Sequence, residues 1–339
     1  MAKEEEAAMV AVRVAAKAKE RAMEEVVAAV IRPTLLSTMI SIILAAAITG
    51  TPAGMVWIPS GTFKMGSNSG LSDESPVHPV SLSGFWIDKY EVTNQQFEAF
   101  VKATGYKTIA ERPLNPKDFP GVPKSKLVPG ALVFVEGKGW DYVPGAYWRH
   151  PSGPKSNIVK KMSHPVVQVA WDDAMAYAKW AGKTLPTEAQ YEFAARGGKT
   201  GAEYSWGNEP PNTKRPQANI WQGRFPVKND NTDGFASTSP VGTFKPNGYG
   251  LFDIGGNVWE WCLDWYRPDS YSHSEKLNPK GPKNSYDPDE PNVPKHVVRG
   301  GSFLCADCYC KGYRVTARMK SSADTGLCHT GFRCVSNSK

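Results

Sequence analysis

Cysteine is scarce in this sequence and absent from its first three quarters. Six cysteines occur among 339 residues, and the first of them is Cys262. Because a disulfide needs two cysteines, none can tie down the first two hundred residues of the chain. This excludes a small secreted scaffold that is held together throughout by disulfides.

A dense block of positive charge is also missing. Lys and Arg number 40 and Asp and Glu number 33, which gives a formal net charge of +7. Basic stretches such as VPKHVVRG and NTKRP are short and isolated. A dispersed positive excess keeps a protein soluble, whereas nucleic-acid binding concentrates it on one surface. We therefore expect no nucleic-acid partner.

The apolar run at residues 35–48 is shorter than the ~18 residues that a membrane-spanning helix needs. It has the length of the hydrophobic region of a signal peptide, and residues 1–32 before it have the apolar spacing of an amphipathic helix. We interpret residues 1–50 as a charged helix plus a signal-like or anchor segment. Residues 34–49 could contact a membrane, and export or tethering is favoured over a cytoplasmic location. A buried or partner-binding helix is the alternative.

The remainder, residues 55–339, is interpreted as one domain. The chain contains 31 glycines, 27 prolines and 11 tryptophans, which indicates a loop-rich fold with many turns. MVWIPSGTFKMGS predicts two strands about a Pro-Ser-Gly turn. Three short helices are predicted after the capping residues Thr93, Asp172 and Thr187. The Pro- and Gly-rich segment 108–162 is predicted to lack regular structure.

Three of the six cysteines, Cys305, Cys308 and Cys310, fall within six positions. In a straight segment the first and last would lie roughly 17 Å apart and point to opposite faces, so only a bend can bring their thiols together. Three interpretations of such a bend remain open on spacing alone. Zinc could bind Cys305 and Cys308 with Cys328, His329 or Cys334. The thiols could be structural, or they could form a reactive pair that favours Cu(I).

The sequence around these cysteines resembles one enzyme family. The resemblance lies, in order, in MVWIPSGTFKMGS, IDKYEVTNQQFEAFV, HPVVQVAWDDAMAYAKWAGKTLPTEAQYEFAARGG, ANIWQGRFPVKNDNTDGFASTSPVGTFKPNGYGLFDIGGNVWEWCLDWY, LNPKGP, VVRGGSFLC and HTGFRC. These stretches resemble the formylglycine-generating enzymes, also called sulfatase-modifying factors. Cys305 and Cys310 match the two cysteines that distinguish the oxidase from noncatalytic and iron-dependent relatives.

The resemblance implies a fold and an activity. The implied fold is a single irregular, loop-rich α+β domain of the C-type-lectin-like kind, with little regular secondary structure. The implied activity is O2-dependent conversion of a cysteine in an unfolded sulfatase segment, of the Cys-x-Pro-x-Arg type, to Cα-formylglycine, by a monomer that uses a thiol or other reductant. Cys305 and Cys310 would hold Cu(I), with Ser302 as a third catalytic residue. Trp259, Tyr309 and His329 would contact the substrate.

Calcium is the second cofactor that the resemblance implies. NDNTDG resembles the start of an EF-hand, but Pro240 stands where the bidentate Glu would be, which rejects that motif. The family instead implies two sites of mixed side-chain and backbone oxygens. One would use Asn219, Ile220, Asp233 and Phe235, and the other Asp253, Gly256, Val258 and Glu260.

The sequence also departs from the family pattern. Ala178, Ala195 and Val315 occupy places where some relatives have disulfide cysteines, so those disulfides are absent and Cys334 lacks its partner. Cys308 is an additional thiol without a counterpart. A noncatalytic lectin-like module or a zinc-stabilised binding module on the same scaffold is the alternative function.

Overall fold

The computed structural model describes residues 52–118, 121–211 and 215–337. The predicted N-terminal helix and signal-like segment, residues 1–50, lie outside these ranges. Within the described ranges, no helix has both the length and the apolar character needed to cross a membrane.

Three α-helices are present in the described residues, all at the predicted places. Their bounds are α1 Asn94–Thr104, α2 Trp171–Trp180 and α3 Glu188–Ala195. Helices α1 and α3 begin with the predicted capping boxes, in which Thr93 and Thr187 accept hydrogen bonds from the backbone N–H groups of Gln96 and Gln190.

The predicted cap of α2 is wrong. Asp172 is exposed, and the helix instead begins after Ala170, whose backbone N–H donates to Oδ2 of Asp173 at 2.9 Å. Asp173 also accepts from Ile109 and Tyr106, so its carboxylate joins α2 to the segment after α1. Two adjacent aspartates look equally suitable in the sequence, and the packing decides between them.

Short strands form the rest of the regular structure in the described residues. They are β1 Met55–Ile58, β2 Gly61–Met65, β3 His78–Leu82, β4 Phe85–Asp88, β5 Gly130–Val135, β6 Gly139–Pro144, β7 Gly223–Arg224, β8 Lys228–Asn229, β9 Trp259–Trp265, β10 Lys295–Arg299, β11 Arg318–Ser322, β12 Thr330–Gly331 and β13 Val335–Ser336. Because the described residues contain three short α-helices among many short strands and loops, the predicted irregular α+β fold is confirmed.

In the described residues, three strand pairings join strands that are not consecutive in the chain, namely β1 with β4, β4 with β13 and β9 with β12. Strand β9 is central to a four-stranded sheet in the order β11, β10, β9, β12, and β1, β4 and β13 form a second sheet. The two predicted strands β1 and β2 exist, but they do not pair with each other, because β1 pairs with β4 and β2 with β3. The first and last strands of the described residues therefore share one sheet, since β13 also pairs with β4.

The prediction that residues 108–162 lack regular structure is wrong. Strands β5 and β6 form an antiparallel hairpin with six residues on each strand. The connection between them is the three-residue EGK turn, and alternate residues of β5, including Ala131 and Val133, are buried. The short apolar run ALVFV, rich in β-branched and aromatic residues, was the local signal for this hairpin, but the surrounding prolines and glycines obscured it.

The interior combines apolar clusters with buried charge. One cluster contains Trp261 and Phe332 together with Trp259 and Cys305, and Cys262 is fully buried in a second cluster. Arg299, Arg318 and Arg333 are also fully buried, and each binds buried glutamates. The ion pairs of Arg299 on β10 and Arg318 on β11 with glutamates of α3 fix this four-stranded sheet against that helix.

Candidate active site

A tight turn brings Cys305 and Cys310 together. The backbone N–H groups of Tyr309 and Lys311 both donate to the carbonyl oxygen of Ala306, at 3.0 and 3.3 Å, and the two cysteine side chains hydrogen-bond to each other. The bend that the spacing requires is therefore present, and it pairs the first and last of the three thiols.

The two thiols of this pair have different environments. Cys305 is fully buried, and burial raises the pKa of its thiol well above the ordinary value. Cys310 is partly exposed, and the hydrogen bond from Cys305 lowers the pKa of its thiol, assisted by the backbone N–H of Gly312. Cys310 is thus the thiol that ionises first and the one that a second molecule can reach.

Gly312 allows the pair to pack against Trp259. A Cβ atom at Gly312 would lie 2.4 Å from two ring atoms of Trp259 and 2.9 Å from Sγ of Cys305. No side chain fits in that space, so the indole ring lies directly against the backbone that follows the cysteines. Sequence analysis missed Gly312, because a glycine in a turn usually serves backbone conformation instead of close approach.

Ser302 lies behind the pair and not in its opening. It is fully buried, its backbone N–H donates to Sγ of Cys305 at 3.4 Å, and its hydroxyl accepts from the N–H of Leu304 at 3.2 Å. These contacts hold the Cys305 sulfur in place, so Ser302 is positioned to orient this sulfur.

A row of aromatic rings borders the opening, and we call it the aromatic wall. It runs from Tyr309 through Phe225, Phe134 and Trp140 to His329, with successive ring centroids 4.3, 5.3, 5.7 and 4.8 Å apart. Tyr309 and Trp140 are exposed, at 62% and 40%. The hairpin of β5 and β6 contributes two of these rings, and sequence analysis missed them together with the hairpin.

His329 lies at the far end of the aromatic wall from Tyr309. Its Nδ1 atom is 3.2 Å from the hydroxyl of Thr330, and burial lowers the pKa of its imidazole to about 3. The ring is therefore neutral near pH 7, so it can accept a proton in a hydrogen bond but carries no positive charge.

The remaining thiols do not assemble around this pair. Cys308 is exposed, Cys328 accepts a hydrogen bond from the N–H of Phe134, and all six cysteines are free thiols. Across the described ranges, no three His, Cys, Asp or Glu side chains come close enough to bind one metal ion by themselves. The geometry therefore gives no support to a zinc site or to a structural disulfide.

The first predicted calcium set is assembled around Asp233. Its carboxylate accepts from the backbone N–H of Ile220 at 3.1 Å and from that of Phe235 at 2.9 Å. Asn219 is buried, and its Oδ1 atom has no hydrogen-bond partner among the described residues. All four predicted residues are thus neighbours, and an unpaired buried oxygen is a feature that a bound cation would satisfy.

In the second predicted set, Glu260 already has a strong partner. Arg333 donates to both of its carboxylate oxygens, at 2.7 and 2.9 Å, and Tyr191 donates to one of them at 2.9 Å. Asp253 accepts from the N–H of Gly242 through Oδ2, whereas its Oδ1 atom is buried without a partner in the described structure. The backbone of Gly256, a member of the second predicted calcium set, lies close to Asn219 of the first set, because a Cβ atom at Gly256 would lie 2.8 Å from the carbonyl oxygen of Asn219.

Glu91 joins this second set, and sequence analysis missed it. Its Oε1 atom accepts from Asn257 at 3.0 Å, and its Oε2 atom is buried without a partner in the described ranges. Burial raises the pKa of Glu91 well above its ordinary value, and the charges of Asp253 and Glu260 raise it further. Three carboxylates share this region with Arg333, and calcium would balance the excess negative charge.

Comparison with known proteins agrees with this architecture. Residues 44–338 match the family model described as the sulfatase-modifying factor enzyme 1-like domain. The formylglycine-generating enzyme of Thermomonospora curvata is 48% identical over 84% of this chain and 93% of its own. That of Mycobacterium tuberculosis is 46% identical over 84% of this chain and 97% of its own.

The fold also matches solved structures. PvdO from Pseudomonas aeruginosa superposes with a TM-score of 0.58 at 24% identity, covering 83% of this chain and 93% of PvdO. The protein is therefore a C-type-lectin-like α+β domain of the sulfatase-modifying kind. The family match over most of the chain is decisive, and the chain belongs to the sulfatase-modifying factor, or formylglycine-generating enzyme, family.

Proposed function

We propose that this protein is a copper-dependent oxidase that converts a cysteine in a sulfatase segment of the Cys-x-Pro-x-Arg type to Cα-formylglycine. The observation that carries the proposal is the Cys305 and Cys310 pair, hydrogen-bonded to each other with only Cys310 facing solvent. The names of the relatives at 48% and 46% identity support the same reaction.

The pair suits Cu(I) as its metal. Two thiolate sulfurs are soft ligands, which select Cu(I) over hard cations such as Mg²⁺ or Ca²⁺. The lowered pKa of the Cys310 thiol favours the ionised form that a metal needs, and metal binding would displace the proton of Cys305. When bound, the copper would supply the means to activate O2 and to hold the substrate thiolate.

The residues around the pair would bind and orient the peptide. The aromatic wall offers exposed ring faces next to Cys310, on which the proline of the segment can pack. Trp259, held against Gly312, closes the inner side of the site, and neutral His329 can accept a hydrogen bond from the peptide backbone. Ser302 keeps the Cys305 sulfur in position through its N–H group.

The overall reaction requires a reductant. Converting the thiol-bearing carbon of the substrate cysteine to an aldehyde with release of hydrogen sulfide consumes one O2, and the second oxygen atom leaves as water when two external thiols are oxidised to a disulfide. The substrate thiol, O2 and two reductant thiols thus balance the aldehyde, hydrogen sulfide, water and one disulfide. A thiol reductant is therefore a required partner of the proposed reaction.

Calcium would stabilise the fold away from the reacting atoms. The unpaired oxygens of Asn219, Asp253 and Glu91 are the side-chain atoms that fit this hard cation. Backbone carbonyl groups would complete each set, consistent with the loop-rich backbone there.

The test is aldehyde formation by the purified, copper-loaded chain. A peptide with the Cys-x-Pro-x-Arg motif is incubated with O2 and a thiol, and the aldehyde is measured by hydrazide labelling and mass spectrometry. We expect aldehyde formation and one copper per chain. Cys305→Ser and Cys310→Ser should each abolish both, because a hydroxyl binds Cu(I) poorly, while circular dichroism shows an intact fold.

Cys308→Ser is the matched control, and it should keep both copper and activity. If Cys308→Ser loses activity while Cys310→Ser retains it, the pair is wrongly assigned and the C-x-x-C cysteines form the site. If the wild-type chain makes no aldehyde and binds zinc through Cys308, the protein is a zinc-stabilised binding module.

A further inference from the structure

The turn that carries Cys310 has an exposed tip and a buried base. Asp307, Cys308 and Tyr309 are exposed, whereas Cys305 at the base of the turn is fully buried. Cys305 therefore belongs to the packed interior, and Cys310 belongs to a turn that reaches into solvent. The position of this turn decides whether the two sulfurs meet.

The backbone of the turn is strained next to Cys310. Lys311 has a φ of +28°, a positive value that residues with a Cβ atom seldom adopt. Such a conformation persists only where its surroundings hold it in place. The hydrogen bonds to the carbonyl oxygen of Ala306 lie within the turn itself, so they do not attach the turn to the rest of the domain. A contact with the interior is needed for that.

Asp307 and Tyr313 form such a contact. The phenol group of Tyr313 donates a hydrogen bond to Oδ1 of Asp307. Tyr313 is almost fully buried, and its ring centroid lies 5.8 Å from that of Tyr204 and 6.4 Å from that of Trp206. A Cβ atom at Gly301 would lie 2.5 Å from the backbone nitrogen of Tyr313. Packing thus fixes both the ring and the backbone of Tyr313, which makes its hydroxyl group a rigid anchor for the turn.

We infer that Asp307 is a positioning residue for the candidate active site, because its bond to Tyr313 holds the turn so that the sulfur of Cys310 meets that of Cys305. Asp307 acts through the turn and not on the substrate itself. A hydrogen bond to a carboxylate is stronger than one between neutral groups, so its loss would free the turn. The consequence for copper rests on the proposed function, whereas the position of the turn does not.

Four variants of the full chain test this inference. Tyr313→Phe removes the donor and Asp307→Ala removes the acceptor. Asp307→Asn removes the charge but keeps an oxygen that can accept the hydrogen bond, so it separates the effect of the bond from that of the charge. Tyr266→Phe is the matched control, because Tyr266 donates to Asp73 at 2.9 Å and its ring belongs to the second apolar cluster.

Hydrogen exchange of the reduced, metal-free protein measures how well the turn is held. The amides of Tyr309 and Lys311 are hydrogen-bonded inside the turn, so they exchange when it opens locally. We expect exchange about tenfold faster in Tyr313→Phe and Asp307→Ala, the lower limit of what a hydrogen bond to a charged group contributes. Asp307→Asn and Tyr266→Phe should match the wild type. Unchanged exchange in Tyr313→Phe, or equal acceleration in Asp307→Asn and Asp307→Ala, would overturn the inference.

Cu(I) affinity, measured by competition with a chromophoric chelator, is the second readout. It should fall about tenfold in Tyr313→Phe and Asp307→Ala, for the same reason, and stay normal in Asp307→Asn and Tyr266→Phe. A purely structural role would lower the melting temperature without changing the affinity of the folded chain.

The two readouts separate this inference from the proposed function. If exchange at the turn accelerates while Cu(I) affinity stays the same, Asp307 does not position the thiol pair and the inference is wrong. If the wild type binds no Cu(I) but the exchange results are as expected, only the proposed function is contradicted.

Discussion

The backbone of Gly312 lies directly against the ring of Trp259, with no room for a Cβ atom between them. The same missing atom would lie 2.9 Å from Sγ of Cys305. One methyl group at this position would therefore disturb the indole and the thiol pair together.

Gly312→Ala is expected to reduce copper binding and aldehyde formation. Overpacking a closed interior costs about 1 to 3 kcal/mol in the free energy of unfolding, and the displaced Cys305 sulfur would no longer face Cys310. Copper stoichiometry, urea unfolding and aldehyde yield measure the effect. Lys311→Ala, a change at the exposed residue that precedes Gly312, is the control. Normal copper content in Gly312→Ala would contradict the close contact.

Calcium removal is expected to lower the melting temperature, and added calcium should restore it. A ligand that binds only the folded state stabilises by mass action, about 2.7 kcal/mol at a hundredfold excess over Kd. Differential scanning fluorimetry with and without a chelator measures this shift.

Asp253→Asn and Glu91→Gln should each shrink the calcium-dependent shift, because each loses a buried carboxylate with an unpaired oxygen. Asp230→Asn, at an exposed carboxylate that pairs with Lys228, should keep the full shift. A melting temperature that stays unchanged under rigorous chelation would show that calcium does not stabilise this protein.

His329 is expected to make the fold less stable as the solution is acidified. Its pKa is about 3 in the folded chain and 6.5 ordinarily. Between these values the unfolded chain binds more protons, so the free energy of unfolding rises with pH and falls on acidification. His329→Asn should remove this contribution, about 1 to 2 kcal/mol between about pH 7 and about pH 5.

The measurement is urea unfolding of wild type and His329→Asn across that pH range. The difference between the two free energies should change in favour of the variant as the pH falls. A difference that stays constant with pH would show that His329 titrates normally in the folded protein.

Glu188→Gln is expected to destabilise the core strongly. Arg318 and Arg299, both fully buried, each bind Glu188 at 2.8 Å. Burial alone would raise the pKa of Glu188, but these two arginines lower it. Removing one member of a buried ion network leaves charge without a partner, which costs about 3 to 5 kcal/mol.

Thermal and urea unfolding measure the effect of Glu188→Gln. Glu98→Gln is the control, because Glu98 forms its ion pairs with Lys102 and Arg149 near the surface, where such pairs contribute little. Similar losses in the two variants would show that the buried network is not what holds β10 and β11 to α3.

The helices could be predicted from the sequence because their signals are local. Each capping box consists of two residues three positions apart whose side chains accept hydrogen bonds from each other's backbone N–H groups, Thr93 with Gln96 and Thr187 with Gln190. The hairpin of β5 and β6 could not be predicted with the same methods. Its two strands gain their stability by covering Ala110 and Cys328, and no short window of sequence contains that contact.

In the candidate site, too, some features follow from the sequence and others only from the tertiary structure. The sequence by itself determined the family, the short capped helices and the requirement for a bend between Cys305 and Cys310, because these depend on spacing along the chain. Tertiary structure alone decided that Cys305 is buried and Cys310 reachable, and that Gly312 meets Trp259. It also placed Glu91 beside Asp253. Burial, ring stacking and charge balance arise from residues far apart in sequence, and only packing brings them together.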